Sequence, residues 1–547
     1  MADAKFIQVL LPLKLDWEPY YALPQGVEVQ VGDTVQVPLA GHTYTGIVTA
    51  VDVTPEQGLD VKQIRRSEPA NDEKPEPAND EKPKPANDEK PKPANDEVPI
   101  AFWRQLADYY LCTPGEVYKA SQIKDKIKVQ EQSSFDGLTG ESIKAIKDAF
   151  ARKKTVLLVG SNRDEIYRTL AAETLAKNKS VLHLVPTHKK SKITEVARSG
   201  EARYIVGTRS ALFLPWKDLG LVIVEEEQDT SYKQDSPAPR FNAREAAIML
   251  ANLHGANVIL GSETPSLESL YNAETGLFTK VQLKQSSHKE ITLINTAAET
   301  RKNGMSGAFS IKLLEAMKST LEAGKKVLLL CRSKQALPEC EEELKKNFPE
   351  APEKAIVTAC PLTLKTQDPS AFGMVAILQA DSLLGKEDFR SDERALQTLH
   401  HLASKAPLVI QTREPGHPVF NALQEGGNGL VFLEERRLCN LPPFTRLVNL
   451  VIRDHSQKRI EYLSKLLEDQ IRRSSRRMTE VGPANDGIIG PYTPSYEQEG
   501  EYIRIIRVTL ARDKSLKSRK AAIYQTVKDF EKQYKYTGHI VIDVDPV

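Results

Sequence analysis

Residues 156–170 read VLLVGSNRDEIYRTL, and this stretch decides the fold at the centre of the chain. The apolar run VLLV is typical of a fully buried strand, and the residues after Asn162 have the periodicity of an amphipathic helix. A strand that runs directly into a helix is the unit of parallel α/β sheets. An ATPase of that architecture has a turn of the pattern GxxxxGK[ST] at this place, whose amides and lysine hold phosphates. Here the turn is GSNRD, so the sequence raises the question of whether a nucleotide is used at all.

Strands alternating with helices continue on both sides of Gly304, which predicts two doubly wound, parallel-sheet lobes over 131–295 and 296–428. The strands of the first lobe are TVLLVG, SVLHLVP, YIVGT, LVIVEEE and NVILGS. Those of the second are KVLLL, GMVAILQ and PLVIQT. Functional side chains in such lobes gather at the carboxyl ends of the strands.

The flanking regions have different patterns. Short β-branched runs over 1–66 predict a small β-barrel, and 67–98 repeats PANDEKPK, a proline-rich, charged octamer that predicts a semi-stiff linker. Helical periodicity over 99–130, with Trp103 as a core residue, predicts a small helical module. A mixed α+β domain is predicted over 429–547.

Composition narrows the class of protein. The chain has 547 residues, 40% of them apolar and 27% charged, with a formal charge of +1, so nucleic-acid contacts would depend on local basic clusters. No stretch approaches the roughly 18 apolar residues of a membrane span, and the N-terminus lacks the pattern of a signal peptide, which predicts a cytosolic protein without membrane contact. Five scattered cysteines argue against a disulfide framework and a zinc site, and favour free, mostly buried thiols.

The run LVIVEEEQDTSYKQ ends a buried strand in consecutive carboxylates. In ATPases the first acid at such a place binds Mg²⁺ and the second acts as a base, which would be Glu225 and Glu226 here. Acids in this position also cap following helices, so the run alone leaves both readings open.

Several motifs together resemble the primosomal protein N′ (PriA) family, the superfamily-2 DNA helicases of replication restart. In chain order they are VLLPL, YYALP, VGDTVQVPL, FWRQLADYYLCTPGEV, GTRSALF, EEEQ with SYKQD, PRFNAR, GSETPSLES, EDFRSDERALQTL, ERRLCNLPPFTRLV and IDVDP. The resemblance implies a multidomain α/β protein with two RecA-like helicase lobes and an N-terminal barrel that binds a 3′ DNA end. It further implies a winged-helix-like segment over 99–130 and a C-terminal α+β domain that binds DNA.

The chain departs from the family at each catalytic motif. Where the family has GxTGSGKTE, residues 160–165 read GSNRDE, and Asp164 places negative charge where phosphate would lie. Gln228 replaces the histidine of the acidic motif, Lys405 stands where the family has GRAGR, and the cysteine-rich zinc module is missing. Loss of an arginine finger typically costs about 10³–10⁵ in rate. We therefore expect Glu225 and Glu226 to be vestigial, with no bound ATP, Mg²⁺ or zinc, and lobes that are trimmed relative to the family.

The resemblance also implies candidate DNA-binding residues. They are Tyr21, Arg209, Tyr232, Lys233, Arg240, Arg244, Arg472, Arg473, Arg476 and Arg477. Bases could stack on Tyr232 or Phe241; alternatively, Phe241 packs in the core and the arginines pair with the acids of residues 225–227. Tyr20 replaces an acid of the family at the 3′-end pocket. The four arginines of residues 472–477 and a second basic cluster, Lys514, Lys517, Arg519 and Lys520, are compatible with phosphate contacts or with a solvated face.

The sequence thus predicts a bacterial, nucleoid-associated protein of replication restart. It would bind forked, branched or single-stranded DNA and support primosome assembly without helicase activity. The partners implied by resemblance are single-stranded-DNA-binding protein and the components that load the replicative helicase. An active ATP-dependent 3′→5′ helicase and an interaction protein that no longer binds DNA are the alternatives.

Overall fold

The computed structural model describes residues 5–55, 61–68, 97–122, 127–129, 140–187, 193–199, 201–384, 388–478, 487–494 and 500–546. The octamer repeat and most of the predicted linker over 67–98 lie outside these ranges. In the part of the chain that is described, no helix is long and apolar enough to cross a membrane.

The N-terminal module is an antiparallel sheet of five strands in the order β2-β1-β4-β3-β5. Its strands are β1 (Phe6–Leu10), β2 (Tyr20–Ala22), β3 (Thr34–Leu39), β4 (His42–Val51) and β5 (Arg66–Glu68). Alternate residues such as Ile7 and Val35 are fully buried, as the period of two requires. Ala22 of β2 exchanges backbone hydrogen bonds with residues 62–64, which brings the two edges of the sheet together.

Two helices follow, α1 (Glu97–Tyr110) and α2 (Pro114–Ser121). A capping box begins α2, because Thr113 accepts from the Glu116 amide and the Glu116 carboxylate accepts from the Thr113 amide. Trp103 is 6% exposed, which confirms it as a core residue. The short strand β6 (Lys128–Val129) pairs with the sheet of the first lobe, so the end of the predicted 99–130 segment belongs to that lobe.

Lobe 1 is an eight-stranded sheet in the order β13-β7-β12-β11-β8-β10-β9-β6. Its further strands are β7 (Thr155–Val159), β8 (Ser180–Leu184), β9 (Thr194–Ser199), β10 (Ala202–Gly207), β11 (Leu219–Glu225), β12 (Asn257–Ser262) and β13 (Phe278–Gln282). Its helices are α3 (Glu141–Ala151), α4 (Asp164–Leu175), α5 (Ala243–His254) and α6 (Leu267–Glu274). Every residue of β11 is buried, as expected for a strand covered on both faces. The predicted parallel arrangement is confirmed for β7, β8 and β10 to β13.

Lobe 2 is a fully parallel sheet in the order β14-β20-β19-β17-β18. Its elements are β14 (Ile291–Asn295), α7 (Thr296–Arg301), a hairpin of β15 (Met305–Ser306) and β16 (Phe309–Ser310), α8 (Ile311–Glu322), β17 (Val327–Leu330), α9 (Leu337–Asn347), β18 (Ile356–Ala359), α10 (Pro361–Leu364), β19 (Met374–Ile377), α11 (Ser391–Lys405), β20 (Leu408–Thr412) and α12 (Pro418–Gln424). The predicted boundary after residue 295 is wrong, because β14 pairs with β20 and therefore belongs to lobe 2.

The C-terminal domain packs two helices against a four-stranded antiparallel sheet in the order β22-β23-β21-β24. After the short helix α13 (Phe432–Leu438) its elements are β21 (Thr445–Asp454), α14 (Gln457–Met478), β22 (Gly487–Tyr492), β23 (Tyr502–Ala511), α15 (Leu516–Gln533) and β24 (Ile540–Val544). The last described residues touch several domains. Lys233 of lobe 1 donates to the carbonyl of Val544 at 2.7 Å, and Arg390 of lobe 2 donates to that of Pro546 at 2.9 Å.

Candidate functional site

The turn between β7 and α4 packs tightly against Leu283 and Lys284, which follow β13. Gly160 has a φ of +131°, and a Cβ on it would lie 2.8 Å from Leu283 Cβ and 2.9 Å from the carbonyl oxygen of Lys284. Glycine is therefore needed here both for conformation and for space. The amides of Gly160 and Ser161 donate to the carbonyls of Ser262 and Lys284, each at 3.0 Å, and helix α4 begins at Asp164.

Arg163 turns inward from this turn and pairs with the end of β11. Its side chain is 9% exposed, and its Nη2 and Nε donate to the two carboxylate oxygens of Glu225 at 2.5 and 3.2 Å. It also donates to the carbonyl of Gly160. Burial by itself lowers the pKa of Arg163, but the bonds to Glu225 raise it above the usual value, so the guanidinium stays charged. Such a two-point pair is among the stronger charge-assisted contacts in proteins.

Tyr167, one turn into α4, completes this cluster. Its hydroxyl donates to Glu225 Oε2 at 2.7 Å, and burial followed by the Glu225 charge raises the pKa of the phenol. The ring is 1% exposed and lies so close to β12 that a Cβ on Gly261 would come within 1.7 Å of the hydroxyl. We call Arg163, Tyr167 and Glu225 the strand-end cluster; both carboxylate oxygens of Glu225 accept bonds from within it.

The other residues of the acidic run have separate environments. Glu227 is 2% exposed and accepts bonds from the Ser266 amide at 2.6 Å and from Arg244 at 2.7 Å. Gln228 accepts from the Ser262 hydroxyl at 2.7 Å. Glu226 has a left-handed backbone with φ of 50° and lines the space between the lobes. The alternative in which an arginine pairs with these acids is therefore confirmed for Arg244.

The carboxyl ends of the lobe 1 strands β7, β11 and β12 face a cleft of about 1180 Å³, which is lined from lobe 2 by residues of α10, α11 and the segment after α12. Arg163 and Glu226 line it from lobe 1, and Arg394 and Lys405 line it from lobe 2. Asp229 and Lys365 form an ion pair across it at 2.9 Å. Burial raises the pKa of Asp229, but the charge of Lys365 outweighs this and lowers it overall.

A second ionic network joins the lobes beside the cleft. Arg436, 2% exposed, contacts Glu393 of lobe 2 at 2.5 Å and Glu268 of lobe 1 at 3.6 Å. Arg390 binds Glu268 at 2.9 Å, and the Leu267 amide donates to Glu393 at 2.8 Å. Burial raises the pKa of Glu268, but the guanidinium groups around it lower it to about 2, so it is ionised at neutral pH.

Three of the predicted DNA-binding residues are buried and a fourth is held in an ion pair, so the structure does not agree with direct DNA contact at these four. Tyr232 is 1% exposed and its hydroxyl bonds to the Leu184 and Glu225 carbonyls. Phe241, the second predicted stacking ring, is equally buried, which confirms its alternative as a core residue. The buried Lys233 binds Asp543. Tyr21 is 2% exposed, with its hydroxyl on the carbonyl of Pro38, and Arg244 is held by Glu227.

The remaining candidates lie nearer the surface. Arg209 is half-buried and donates to the carbonyl of Ser231, and burial lowers its pKa. Arg240 is half-buried before α5. On α14, Arg473 is exposed, whereas Arg472 binds Glu468 at 2.7 Å. The side chains of Arg476 and Arg477 lie outside the described residues.

The cysteines agree with the prediction of free thiols, because Cys331, Cys340 and Cys360 are buried. Among the described residues, no group of three or more His, Cys, Asp or Glu side chains is arranged to hold a metal ion. Sequence analysis missed the pairing of Arg163 with Glu225. The only sequence signal for this pair is an arginine in a turn that lacks the phosphate-binding lysine. Its partner could not be identified from the sequence, because Glu225 lies 62 residues further along the chain.

Comparison with known proteins gives consistent matches. Residues 8–121 match the family model of the 3′DNA-binding domain (3′BD). Replication restart protein PriA of Rickettsia conorii is 26% identical over 89% of this chain and 91% of its own, and that of Rickettsia felis is 25% identical over 99% of both. The Bacillus subtilis protein is 31% identical over 37% of this chain and 30% of its own. A solved structure of the DUF1998 helicase MrfA bound to DNA aligns with 55% of this chain and 56% of its own at 10% identity and a TM-score of 0.33. The matches to the two Rickettsia proteins extend over nearly the whole length of both chains, so this chain is similar to the replication restart proteins PriA along almost all of its sequence.

Proposed function

We propose that this protein binds forked or branched DNA during replication restart and supports primosome assembly without unwinding DNA by ATP turnover. The observation that carries the proposal is the strand-end cluster. The acid that would hold Mg²⁺ in an ATPase is Glu225, and both of its carboxylate oxygens accept bonds from Arg163 and Tyr167.

The residues at the turn do not fit a nucleoside triphosphate. No lysine or hydroxyl occupies the positions that hold the phosphates and Mg²⁺ in the family, and the exposed Asp164 would face the phosphates. Like charges about 4 Å apart repel by several kcal/mol at an effective dielectric constant of about 20. Freeing Glu225 for a metal would also leave the largely buried Arg163 without its anion, which is costly.

The alternative of an active helicase has one observation in its favour. The cleft between the lobes is open, and its volume of about 1180 Å³ is large enough for a ligand, since ordinary ligand pockets have about 300–1,000 Å³. Lys405 is the cation that lines it at the place of the family's arginine motif. Measurement of ATP turnover, described at the end of the Discussion, separates the two functions.

The DNA-binding half of the proposal has separate support. Residues 8–121 match the 3′DNA-binding domain, and helix α14 carries the arginine cluster of residues 472, 473, 476 and 477. Single-stranded-DNA-binding protein and helicase-loading components are the protein partners that we propose from the similarity to replication restart proteins PriA. We also expect no stoichiometric zinc, and metal analysis after dialysis that finds one or two zinc ions per chain would contradict this.

Fork binding by fluorescence anisotropy at several salt concentrations tests DNA binding. Each neutralised phosphate adds about 0.7–0.9 to the log–log salt slope. Replacing Arg472, Arg473, Arg476 and Arg477 with alanine should therefore flatten the slope, and blocking the 3′ end of the fork should weaken binding without changing the slope. The matched control replaces four exposed lysines of lobe 2, Lys325, Lys326, Lys345 and Lys346. Absence of any preference for forks over duplex in the wild type would refute the proposal.

A further inference from the structure

Trp17 lies in the loop between β1 and β2 with 58% of its surface exposed. The chain has three tryptophans, and the other two, Trp103 and Trp216, are only 6% and 8% exposed. An indole is a large apolar surface with a π-face that can stack on another ring. Its exposure leaves this surface available to a partner.

The loop that carries Trp17 is fixed on both sides. Asp16 accepts bonds from the Tyr524 hydroxyl at 3.0 Å and from Lys528 at 3.1 Å, both on α15. Glu18 accepts a bond from Arg104 of α1 at 2.9 Å and another from Thr49 of β4. The neighbours of Trp17 are thus attached to the C-terminal domain, to the helical module and to the N-terminal sheet. The backbone that carries the ring is therefore fixed before binding, which lowers the conformational entropy lost on binding.

The charges around Trp17 favour stacking over a phosphate contact. Each adjacent carboxylate has its own cation, Asp16 with Lys528 at 3.1 Å and Glu18 with Arg104 at 2.9 Å. Lys528 and Arg104 are therefore already paired with these carboxylates, and the indole is the exposed surface of the loop. Stacking of a base on an aromatic side chain does not depend on the sequence, because every base has a π-face.

We propose that Trp17 is a stacking platform for an unpaired base of the bound DNA. The residue lies within the span of residues 8–121 that matches the 3′DNA-binding domain, three positions before Tyr20, which begins β2. This inference rests on the proposed DNA binding and adds to it a contact with an unpaired base rather than with the backbone. Trp17 would thus supply the base stacking that the sequence predicted for Tyr232 or Phe241, both of which are buried.

Intrinsic fluorescence tests the platform, because Trp17 is the exposed indole among the three. A single-stranded thymidine oligonucleotide should quench the emission of the wild type, and this quenching should be lost in Trp17→Phe. Trp17→Ala should weaken binding about 5- to 150-fold, the range expected for one stacked base, with an unchanged salt slope. Trp17→Phe should retain most of the affinity. Leu277→Ala, at a residue that is 55% exposed in lobe 1, is the control and should match the wild type.

The outcomes separate the two proposals. If the wild type binds the oligonucleotide but Trp17→Ala binds equally well, or if binding leaves the emission unchanged, the platform is refuted while DNA binding stands. Binding that leaves the tryptophan emission unchanged would instead fit a protein partner on Trp17. A weaker salt slope in Trp17→Ala would also overturn stacking in favour of a phosphate contact. If the wild type binds neither fork nor oligonucleotide, both proposals fail.

Discussion

Two loops of this protein each follow a short strand, and they differ in whether the side chain of interest is buried or exposed. The loop after β7 turns Arg163 inward onto Glu225, so that charges suited to a nucleotide and a metal neutralise each other. The loop after β1 pairs the charges beside Trp17 with other domains and leaves the indole outside. The charged groups of the first loop pair with each other inside the protein, whereas the second loop presents an exposed aromatic ring. Under the proposed function, the protein keeps a surface for binding at the second loop and has lost the nucleotide site at the first.

The largest expected effect tests the internal pairing of the first loop. Arg163→Ala leaves the Glu225 carboxylate, with its side chain 11% exposed, without its cation. Removing one partner of a buried pair typically costs about 3–5 kcal/mol. Urea unfolding should show a loss of this size, and adding Glu225→Gln should recover part of it. The exposed Arg168→Ala, on the same helix, is the control; a loss no larger than that of the control would contradict internal pairing.

Acid should weaken the ionic network in which Arg390 and Arg436 bind Glu268 and join the two lobes. Arginines lower the pKa of Glu268 to about 2, below the value of about 4.5 in an unfolded chain. Its contribution, up to about 3 kcal/mol, is therefore present above pH 4.5 and is lost as the pH falls towards 2. Burial and the charge of Glu268 raise the pKa of Glu393, which offsets part of this loss. The difference in unfolding free energy between wild type and Glu268→Gln should shrink from pH 6 to pH 3, whereas the exposed Glu322→Gln should show no such trend.

Tyr167→Phe isolates one hydrogen bond of the strand-end cluster. The change keeps the ring and removes the donor to Glu225, and bonds to charged groups contribute about 1.5–3 kcal/mol. Thermal unfolding should show a loss in this range in the wild-type background. In an Arg163→Ala background the loss should differ, because the two donors share one carboxylate. Strict additivity would argue that the cluster is not a unit.

The smallest expected effect concerns the second loop. Trp17→Ala should change the free energy of unfolding by no more than about 0.5 kcal/mol, because the side chain is largely exposed. Trp103→Ala should cost several kcal/mol, since its ring is buried in the core. A large loss of stability for Trp17→Ala would mean that the ring supports the fold, and the contrast between the two loops would then disappear.

Much of the fold could be predicted because its signals are local. Apolar runs such as LVIVE, each followed by a helical pattern, are sufficient to place strands of two parallel lobes. The error at β14 has a physical reason. Residues 291–295 belong to lobe 2 because they pair with β20, and that partner lies more than 100 residues away in the sequence.

The candidate site was less predictable because it depends on burial and on contacts between distant residues. The motif TSYKQ does not reveal that the Tyr232 hydroxyl donates to the carbonyl of Glu225 at the end of β11. It also does not reveal that Lys233 pairs with Asp543 near the end of the chain. Arg163 and Glu225 meet because β7 and β11 both flank β12 and end at the same edge of the sheet. Trp17 went unnoticed because exposure cannot be read from a single aromatic residue in a short loop.

The most direct test of the account is phosphate release from ATP, measured with and without forked DNA on a preparation whose fork binding has been verified by anisotropy. We predict DNA binding with no turnover above the background without protein, because Arg163 and Tyr167 already bind the carboxylate that a catalytic metal would need. Fork-stimulated turnover of about 1 s⁻¹ or more, within the usual range for enzymes, that is abolished by Glu226→Gln would contradict the account and establish an active motor.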